Sequence, residues 1–535
     1  MTIAIDFGTT NTVIARWNAA TEQPEVVSLP GLSRQDGNNP PLVPSLVYVE
    51  DAQVGAVTAG QQVRDRGLDL KGDSRFFQSF KRGIGSEVQG FLPQLDDQSI
   101  RFEQVGEWFF QHLLLAVTQI PLPLDSLILT VPVDSFETYR HWLGSVVESP
   151  QLPQKIEQVR LLDEPTAAAL GYGVAAADLL LVIDFGGGTL DMSLVELGRR
   201  VTPDRNPLGF ILKWGDKSFR EESGQKLETA KVIAKSGQNL GGADVDNWLL
   251  DTFAGRQGLP RTPLTQRLVE KLKIELSSRP QASEVYFNED TFESYELNLS
   301  RSEFEEILQQ QQFFKRLDES LTQVLQQARR QGLESPDIDA VVLVGGTSQI
   351  PAVQDWLKNW FPNEKIRCDR PLDAIATGAL QLTQGIQLKD FLYHGYGVRY
   401  WNRRKNAHDW HPIIQPGQPY PLERPIELSL GASIPEQPKL ELVLGEMGSE
   451  APQTEVFFDG DRLITRQVNQ EAMVIPLNDS DQGRTIANLN PPGSPGSDRV
   501  KIQFRIDEER FLRITVDDLL TSERLIDNQV VVQLS

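Results

Sequence analysis

A duplicated α/β architecture followed by a smaller all-β module is the fold class this sequence predicts, and three observations predict it. Ile5-Asp6-Phe7-Gly8-Thr9-Thr10 and Ile183-Asp184-Phe185-Gly186-Gly187-Gly188-Thr189 repeat one pattern, an apolar run into an aspartate, then small residues, then threonine. The copies stand about 180 residues apart, a domain-sized period rather than a solenoid's. Strand-like and helix-like runs alternate as far as Gln384, the mark of α/β lobes. Beyond Gln384 come β-type runs parted by Pro, Gly, Asn and Asp clusters.

Taken in order, strands are expected at Thr2 to Asp6 and Thr12 to Trp17, then a proline-punctuated stretch at Pro40, Pro41 and Pro44. Strand Leu127 to Val131 ends at Pro132, and apolar helical spacing resumes at Phe136, Tyr139, Leu143 and Val147. The second lobe opens with strand Leu179 to Asp184 and continues through Met192 to Leu197. It carries a long helix from Leu264 to Leu276 and closes with strand Ala340 to Val344 and helix Ala352 to Phe361. Gly385 to Leu392 is a connector. Leu440 to Leu444, Val500 to Ile506 and Phe511 to Val516 are strands of the last module, and Asn488 to Ser497, rich in Pro and Gly, is expected to be a disordered or mobile loop. The predicted boundaries are 1–385, 386–392 and 393–535.

The chain has 535 residues, a length prior of roughly three to four domain-sized units. Its formal charge of −22 opposes nucleic acid or an anionic membrane as the main partner, because both repel an acidic protein. Any phosphate site must therefore be built locally. The single cysteine, Cys368, excludes an intramolecular disulfide framework, fits a reducing compartment and reads as a small buried strand residue. No basic leader precedes Asp6, and no uncharged apolar run reaches the roughly 20 residues of a spanning helix. A cytoplasmic chain is expected.

Glycines in the repeated loops let backbone N–H groups approach an anion without side-chain obstruction, so two facing copies predict a nucleotide held between related lobes. Asp6 and Asp184, at strand ends, suit a hydrated Mg²⁺, which usually keeps several waters. A lone aspartate there is more simply a turn former; the duplicated context reverses that weighting. Thr9, Thr10 and Thr189 add hydroxyls for phosphate or for the metal's water shell, and Asp191, on the same strand face as Thr189, is placed to join that shell. The segment Val269 to Ser278 puts Val269, Leu272 and Leu276 on an apolar stripe and Glu270, Lys273 and Ser277 on the adjoining face. That face is either a solvated charged surface or an edge presented to a purine nucleoside. Val344-Gly345-Gly346-Thr347-Ser348-Gln349, joining strand to helix, is either a packing turn or a third ligand loop. No Gly-Lys pair occurs, so the P-loop signature is absent; no Cys pair or His-Glu-x-x-His supports zinc.

Together these residues closely resemble the seventy-kilodalton heat-shock chaperone family of the DnaK type, built on the actin-like ATPase fold with duplicated ribonuclease-H-like lobes. The ordered motifs are Ile5-Asp6-Phe7-Gly8-Thr9-Thr10-Asn11, Phe80-Lys81-Arg82, Asp163-Glu164-Pro165-Thr166-Ala167-Ala168-Ala169-Leu170-Gly171-Tyr172-Gly173, the Asp184 to Asp191 loop, Leu240-Gly241-Gly242 and Glu270 to Ser278. The resemblance implies that Lys81, Glu164, Asp184 and Thr189 serve catalysis, with Lys81 and Glu164 beside the attacking water. It implies that Thr9, Thr10, Asn11, Gly186, Gly187, Gly188, Gly241 and Gly242 surround the phosphates. Glu270, Lys273, Ser277, Gly345, Gly346, Gln349 and Asp373 would hold the rest of an ATP or ADP, and Asp6, Asp184 and Asp191 the Mg²⁺. Pro132 and Arg140 match positions that relay nucleotide state in the family.

Some positions depart from the family pattern. Gln349 stands where the family usually has an arginine that stacks on adenine, which predicts weaker adenine binding. Gly198 to Ser236 is longer than the usual turn and reads as a solvated basic loop. The connector Gln387-Leu388-Lys389-Asp390-Phe391-Leu392 is more polar than the family's leucine-rich linker. Arg399-Tyr400-Trp401-Asn402-Arg403-Arg404-Lys405 reads as a charged edge strand that resists aggregation. The last module resembles, faintly, the family's β-sandwich that clamps extended peptides, without a helical lid. The leading expectation is an ATP-hydrolysing chaperone for unfolded or client polypeptide in protein folding and stress response, served by a J-domain co-chaperone and a nucleotide exchange factor. A slow nucleotide-dependent interaction module with a fixed partner is the alternative. An actin-like filament or a sugar kinase leaves the β module unexplained.

Overall fold

The computed structural model describes residues 2–18, 20–37, 39–86, 89–90, 92–120, 124, 126–132, 136–147, 158–173, 179–198, 213–214, 229–381, 392, 395–402, 407–415, 418, 420–422, 424–447, 453–459, 462–468, 474–479, 485–507 and 510–534. The chain divides into two compact units: residues 1–201, 211–388 and 454–466 form the first, and 202–210, 389–453 and 467–535 the second. The expected connector, all but the last residue of it, and Arg403 to Lys405 lie outside the described residues, as does most of the stretch between Gly198 and Thr229.

The first unit holds two mixed sheets of matching topology. In one, β1 (Thr2–Phe7) forms an antiparallel hairpin with β2 (Asn11–Asn18), which pairs with β3 (Gln23–Val26). After helix α1 (Phe102–Thr118), β4 (Ser126–Val131) runs parallel to β1. Helix α2 (Phe136–Val147) then leads to β5 (Gln158–Asp163), parallel to β4, and helix α3 (Glu164–Gly171) follows it. In the other sheet, β6 (Leu179–Phe185) pairs antiparallel with β7 (Leu190–Gly198) and β7 with β8 (Thr229–Gln238). Two parallel strands extend β6 on its other edge, β11 (Ala340–Val344) and β12 (Ile366–Arg367). Each sheet thus shares a hairpin, a third antiparallel strand and two parallel crossover strands, to which the first adds the short strands Val43–Pro44 and Lys213–Trp214. The doubled sequence phrase sits at the same corner of each, Asp6 near the end of β1 and Asp184 near the end of β6.

Sequence accounts for the local structure of these elements. β1, β4, β6 and β11 are nearly continuous β-branched and leucine runs, as strands covered on both faces require, and their apolar side chains are buried. Phe7 anchors an aromatic cluster in the first lobe, 5.1 Å from Phe110 edge to face and 5.9 Å from Trp142. In the second lobe one core gathers Leu181, Ile183, Met192 and Leu343 with side chains of α4 (Gly242–Gln257) and α5 (Pro263–Ser278). The Val269, Leu272 and Leu276 stripe of α5 is fully inside it. Beyond α5, the hairpin of β9 (Gln281–Asn288) and β10 (Glu293–Ser300) buries Ala282, Tyr286, Leu297 and Leu299 in the same core.

In the second unit, the named elements from Gly395 onward are all strands. Strands Ile426–Gly431, Asp498–Ile506, Phe511–Asp518 and Arg524–Gln533 make one antiparallel sheet, and Gly395–Asn402 with Ala407–Ile414, Leu444–Met447 and Val474–Pro476 another. Tyr396, Leu444, Phe504, Leu512 and Ile514 enter one core. Arg499 and Asp518 are buried within this unit as a two-pronged pair at 2.9 and 2.7 Å.

Two expectations are corrected here. Asn488 to Ser497 is not wholly a loop: strand Thr485–Gly493 continues through Pro491 and Pro492, paired with Gln437–Leu442 across a register shift. This pair forms a two-stranded sheet of its own, so prolines that cannot donate sit at an unpaired edge. Cys368 lies just past β12 and is exposed rather than buried. Among the described residues, no helix is long and apolar enough to cross a membrane.

Candidate active site

A cleft of about 750 Å³ lies within the first unit, and the two aspartate loops, the third small-residue loop and one face of α5 all line it. Asp6, Thr9, Thr10, Asn11, Lys81, Glu164, Asp184, Gly186, Gly187, Thr189, Gly242, Glu270, Lys273, Ser277, Gly345, Gly346 and Gln349 are all in its wall. Gly188, Gly241, Asp373 and Asp191 are not. The Gly188 carbonyl accepts from Arg82, which does line the cleft. Asp373 pairs with Arg370 at 2.6 Å at the start of the short helix Ala374–Ala379. Asp191, in register with Asp184, faces a second cavity of about 20 Å³ that Glu164 and Asp184 share with Pro132, Ser193 and Lys235. The side chain of Arg140 lies outside the described residues.

Local chemistry fixes each wall. The Asp163 side chain caps α3 by accepting from Thr166 N at 2.9 Å, and Pro165 fits the first turn, where its missing N–H costs nothing. Glu164 is therefore held at the first helical position, buried, and accepts from Lys81 Nζ at 2.9 Å. Lys81 also stands over the rings of Phe7 and Tyr139, at 5.5 and 5.9 Å, and Tyr139 donates its hydroxyl to the Lys81 carbonyl at 2.7 Å. The lobes approach closely at Gly187. A Cβ there would fall 1.7 Å from Thr10 Oγ1, and one on Gly241 would fall 2.4 Å from Gly187 O, so both positions require glycine.

The electrostatics are uneven along the cleft. Burial raises the Asp6 carboxyl to about 7, reinforced by Glu164 and moderated by Lys81 and by the Thr130 hydroxyl, which donates to it at 3.0 Å. Burial also lifts Asp184 well above the carboxylate range, and Glu164, Asp191 and Asp6 add to the effect. Burial pulls the Lys81 ammonium down, but Glu164, Tyr139 and Asp6 outweigh it and the net shift is upward. At the α5 face, burial opposes ionisation of Glu270, yet Arg64, Lys273 and Arg34 bring it below its ordinary value. Arg64 donates to Glu270 at 2.8 Å, and Lys273 to Asp246 at 2.8 Å and to the Gly242 carbonyl at 3.0 Å.

Asp6 and Asp184 fit a hydrated divalent cation. Burial and neighbouring carboxylates, Glu164 first, make both harder to ionise, a cost that a cation relieves. Among the described residues no three carboxylates, histidines or cysteines gather as a direct metal cage. Sequence reading assigned no place at the site to Arg34, Arg64, Thr130 or Asp246, and read Tyr139 only as an apolar helical position. Arg64 and Glu270 are 206 positions apart, and no local pattern announces such a pair.

The Hsp70 protein family matches residues 154–202 and 229–391. Curated relatives include the "Chaperone protein DnaK" of Thermosipho melanesiensis and that of Thermosipho africanus. Each is 28% identical over 415 residues, which cover 73% of this chain and 61% of the relative. The match thus spans less than two thirds of those relatives' own length. The Hsp70 family implies an actin-like ATPase fold, with which the two mixed sheets are compatible. Family match and relatives agree, and both liken this chain to proteins of the Hsp70/DnaK type.

Proposed function

We propose that the chain is an ATP-dependent molecular chaperone, which binds ATP with Mg²⁺ in the cleft, hydrolyses it to ADP and phosphate, and couples that cycle to binding of unfolded or client polypeptide. The observation that carries the catalytic half is the Lys81–Glu164 pair at 2.9 Å, set in one cleft with Asp6 and Asp184. Glu164 orients a water whose oxygen bonds to the γ-phosphorus as the bond from that phosphorus to the bridging oxygen breaks. Lys81 offsets the negative charge spreading over the phosphoryl oxygens. Hydroxyls of Thr9, Thr10 and Thr189 and amides of the glycine loops hold the phosphates, while Glu270, Lys273 and Ser277 hold the nucleoside. Mg²⁺, held by Asp6 and Asp184, would neutralise phosphate charge.

The chaperone half is supported by the relatives, named as chaperones, and by the strand-built second unit, which suits capture of extended peptide by backbone pairing and side-chain pockets. A J-domain co-chaperone, a nucleotide exchange factor and a cytoplasmic setting belong to the same proposal. Turnover of ATP by the whole chain, with and without a permanently unfolded polypeptide, tests it together with protection of a denatured enzyme from aggregation. Lys81→Ala is expected to lower kcat by roughly a hundredfold or more; a wild-type rate removes Lys81 from the mechanism. If polypeptide neither stimulates turnover nor is protected, the slow interaction module with a fixed partner takes the chaperone's place.

A further inference from the structure

Lys81 reaches the cleft from the short helical turn Phe80–Gly83, on a flexible four-carbon stem. Its bond to Glu164 at 2.9 Å fixes one distance and leaves the stem free to turn about it. Tyr139, from α2, engages both ends of the residue. Its hydroxyl donates to the Lys81 carbonyl at 2.7 Å, which ties the turn to α2, and its ring centroid lies 5.9 Å from the ammonium. Phe7, next to Asp6 in β1, brings a second ring to 5.5 Å. Both rings are within the roughly 6 Å at which an aromatic face attracts a cation. The Lys81 side chain is only 11% exposed, and that attraction strengthens as water is removed.

Tyr139 is buried and does not belong to the cleft wall. Its own place is fixed from behind. Trp142, one turn further along α2, packs edge-on against it at 5.7 Å and donates its indole N–H to the Glu103 carbonyl at 3.0 Å. A Cβ on Gly106 would fall 2.4 Å from the Trp142 ring, so α1 packs directly against that indole. Phe7 meets Trp142 at 5.9 Å, and the three rings make one group around the lysine. Burial raises the Tyr139 phenol, which therefore stays a donor. A buried tyrosine hydroxyl must find some partner. That hydroxyl and ring both meet the same lysine is what points to positioning rather than to packing alone.

We propose that Tyr139 is a positioning residue for ATP hydrolysis: its hydroxyl holds the turn that bears Lys81, and its ring keeps the ammonium against Glu164, without contact to the nucleotide. This rests on the role given to Lys81 above. A misplacement of about 1 Å at a reacting group can cost roughly a hundredfold in rate, so the effect belongs to the chemical step rather than to ATP binding. Single-turnover hydrolysis and calorimetric titration with ATP and Mg²⁺ test it on the whole chain, as wild type, Tyr139→Phe, Tyr139→Leu, Lys81→Ala and Lys81→Ala combined with each Tyr139 variant. Tyr139→Phe, which keeps the ring, is expected to slow hydrolysis roughly fivefold and Tyr139→Leu roughly thirtyfold, both with ATP affinity within about twofold of wild type. In the Lys81→Ala background neither substitution should slow hydrolysis further, because the group that Tyr139 positions is gone; a tyrosine that only supports the fold would lower both backgrounds alike. Should Tyr139→Leu not fold, Tyr139→Phe carries the same comparison. A wild-type rate in either Tyr139 variant, an equal further loss in the Lys81→Ala background, or rate and affinity falling together in Tyr139→Phe overturns the inference and leaves Lys81 in place. Lys81→Ala at the wild-type rate, or a wild type that does not hydrolyse ATP, overturns the reading of Lys81 and this inference with it.

Discussion

Asp163 shows how one residue that touches no substrate sets the site. It is fully buried, and one carboxyl oxygen caps α3 while the other has no hydrogen-bond partner among the described residues. Burial raises its pKa from 3.8 to about 6. Because the folded-state value is raised, the stabilising contribution is complete below the unfolded value and is lost as pH rises through 6. Asp163→Asn keeps the capping oxygen and removes the titration. The variant's thermal midpoint should therefore exceed the wild type's by a margin that grows from pH 4 to about 6.5 and then levels, on the order of 2 kcal/mol at its plateau. A margin independent of pH contradicts this account. Cleft residues fall into two classes of legibility. Asp6, Thr9, Thr10, Asp184 and Thr189 were readable because strand, turn and ligand group occur within a few consecutive positions. Arg34 and Arg64 were not, since only tertiary folding brings them to the cleft. Asp191 follows the second repeated phrase in sequence yet lines the small neighbouring cavity rather than the cleft.

At the scale of the element, α5 joins stability to ligand geometry. Thr262 caps it by accepting from Thr265 N at 3.2 Å, the Thr265 hydroxyl accepts in return from Thr262 N at 2.9 Å, and Pro263 opens the first turn. Its buried stripe fixes the rotation that turns Glu270, Lys273 and Ser277 to the cleft, and the period of the pattern made that face visible in sequence. Leu272→Ala should cost about 2–5 kcal/mol in urea unfolding, Thr262→Ala about 1 kcal/mol. Only the first is expected to weaken nucleotide binding, because a cavity lets the helix roll while a frayed cap leaves its rotation fixed. Equal affinity in Leu272→Ala and wild type counts against this coupling. The strand through Pro491 and Pro492 marks the opposite case. Proline content argued for a loop, and an unpaired edge, which sequence does not reveal, made the strand possible.

At the scale of the molecule, two units with separate hydrophobic cores predict two unfolding transitions rather than one. A ligand held wholly by the first unit raises that unit's transition by mass action, about 2.7 kcal/mol at a free concentration one hundred times Kd. Removing one partner of the buried Arg499–Asp518 pair, as in Arg499→Ala, leaves an uncompensated charge in the second unit and should cost that transition about 3–5 kcal/mol. Scanning calorimetry of the whole chain, wild type and Arg499→Ala, each with and without ATP and Mg²⁺, reads both effects. ATP should move the first transition in both proteins, and the substitution should move the second with and without ATP. The proposed chaperone cycle adds a further demand: linkage is reciprocal, so if nucleotide state reaches the second unit, ATP must also displace the second transition. Arg499→Ala must then change how far ATP moves the first. Two transitions that respond independently would leave a nucleotide site without a coupled load, and would remove the ATP dependence of client binding from the proposal.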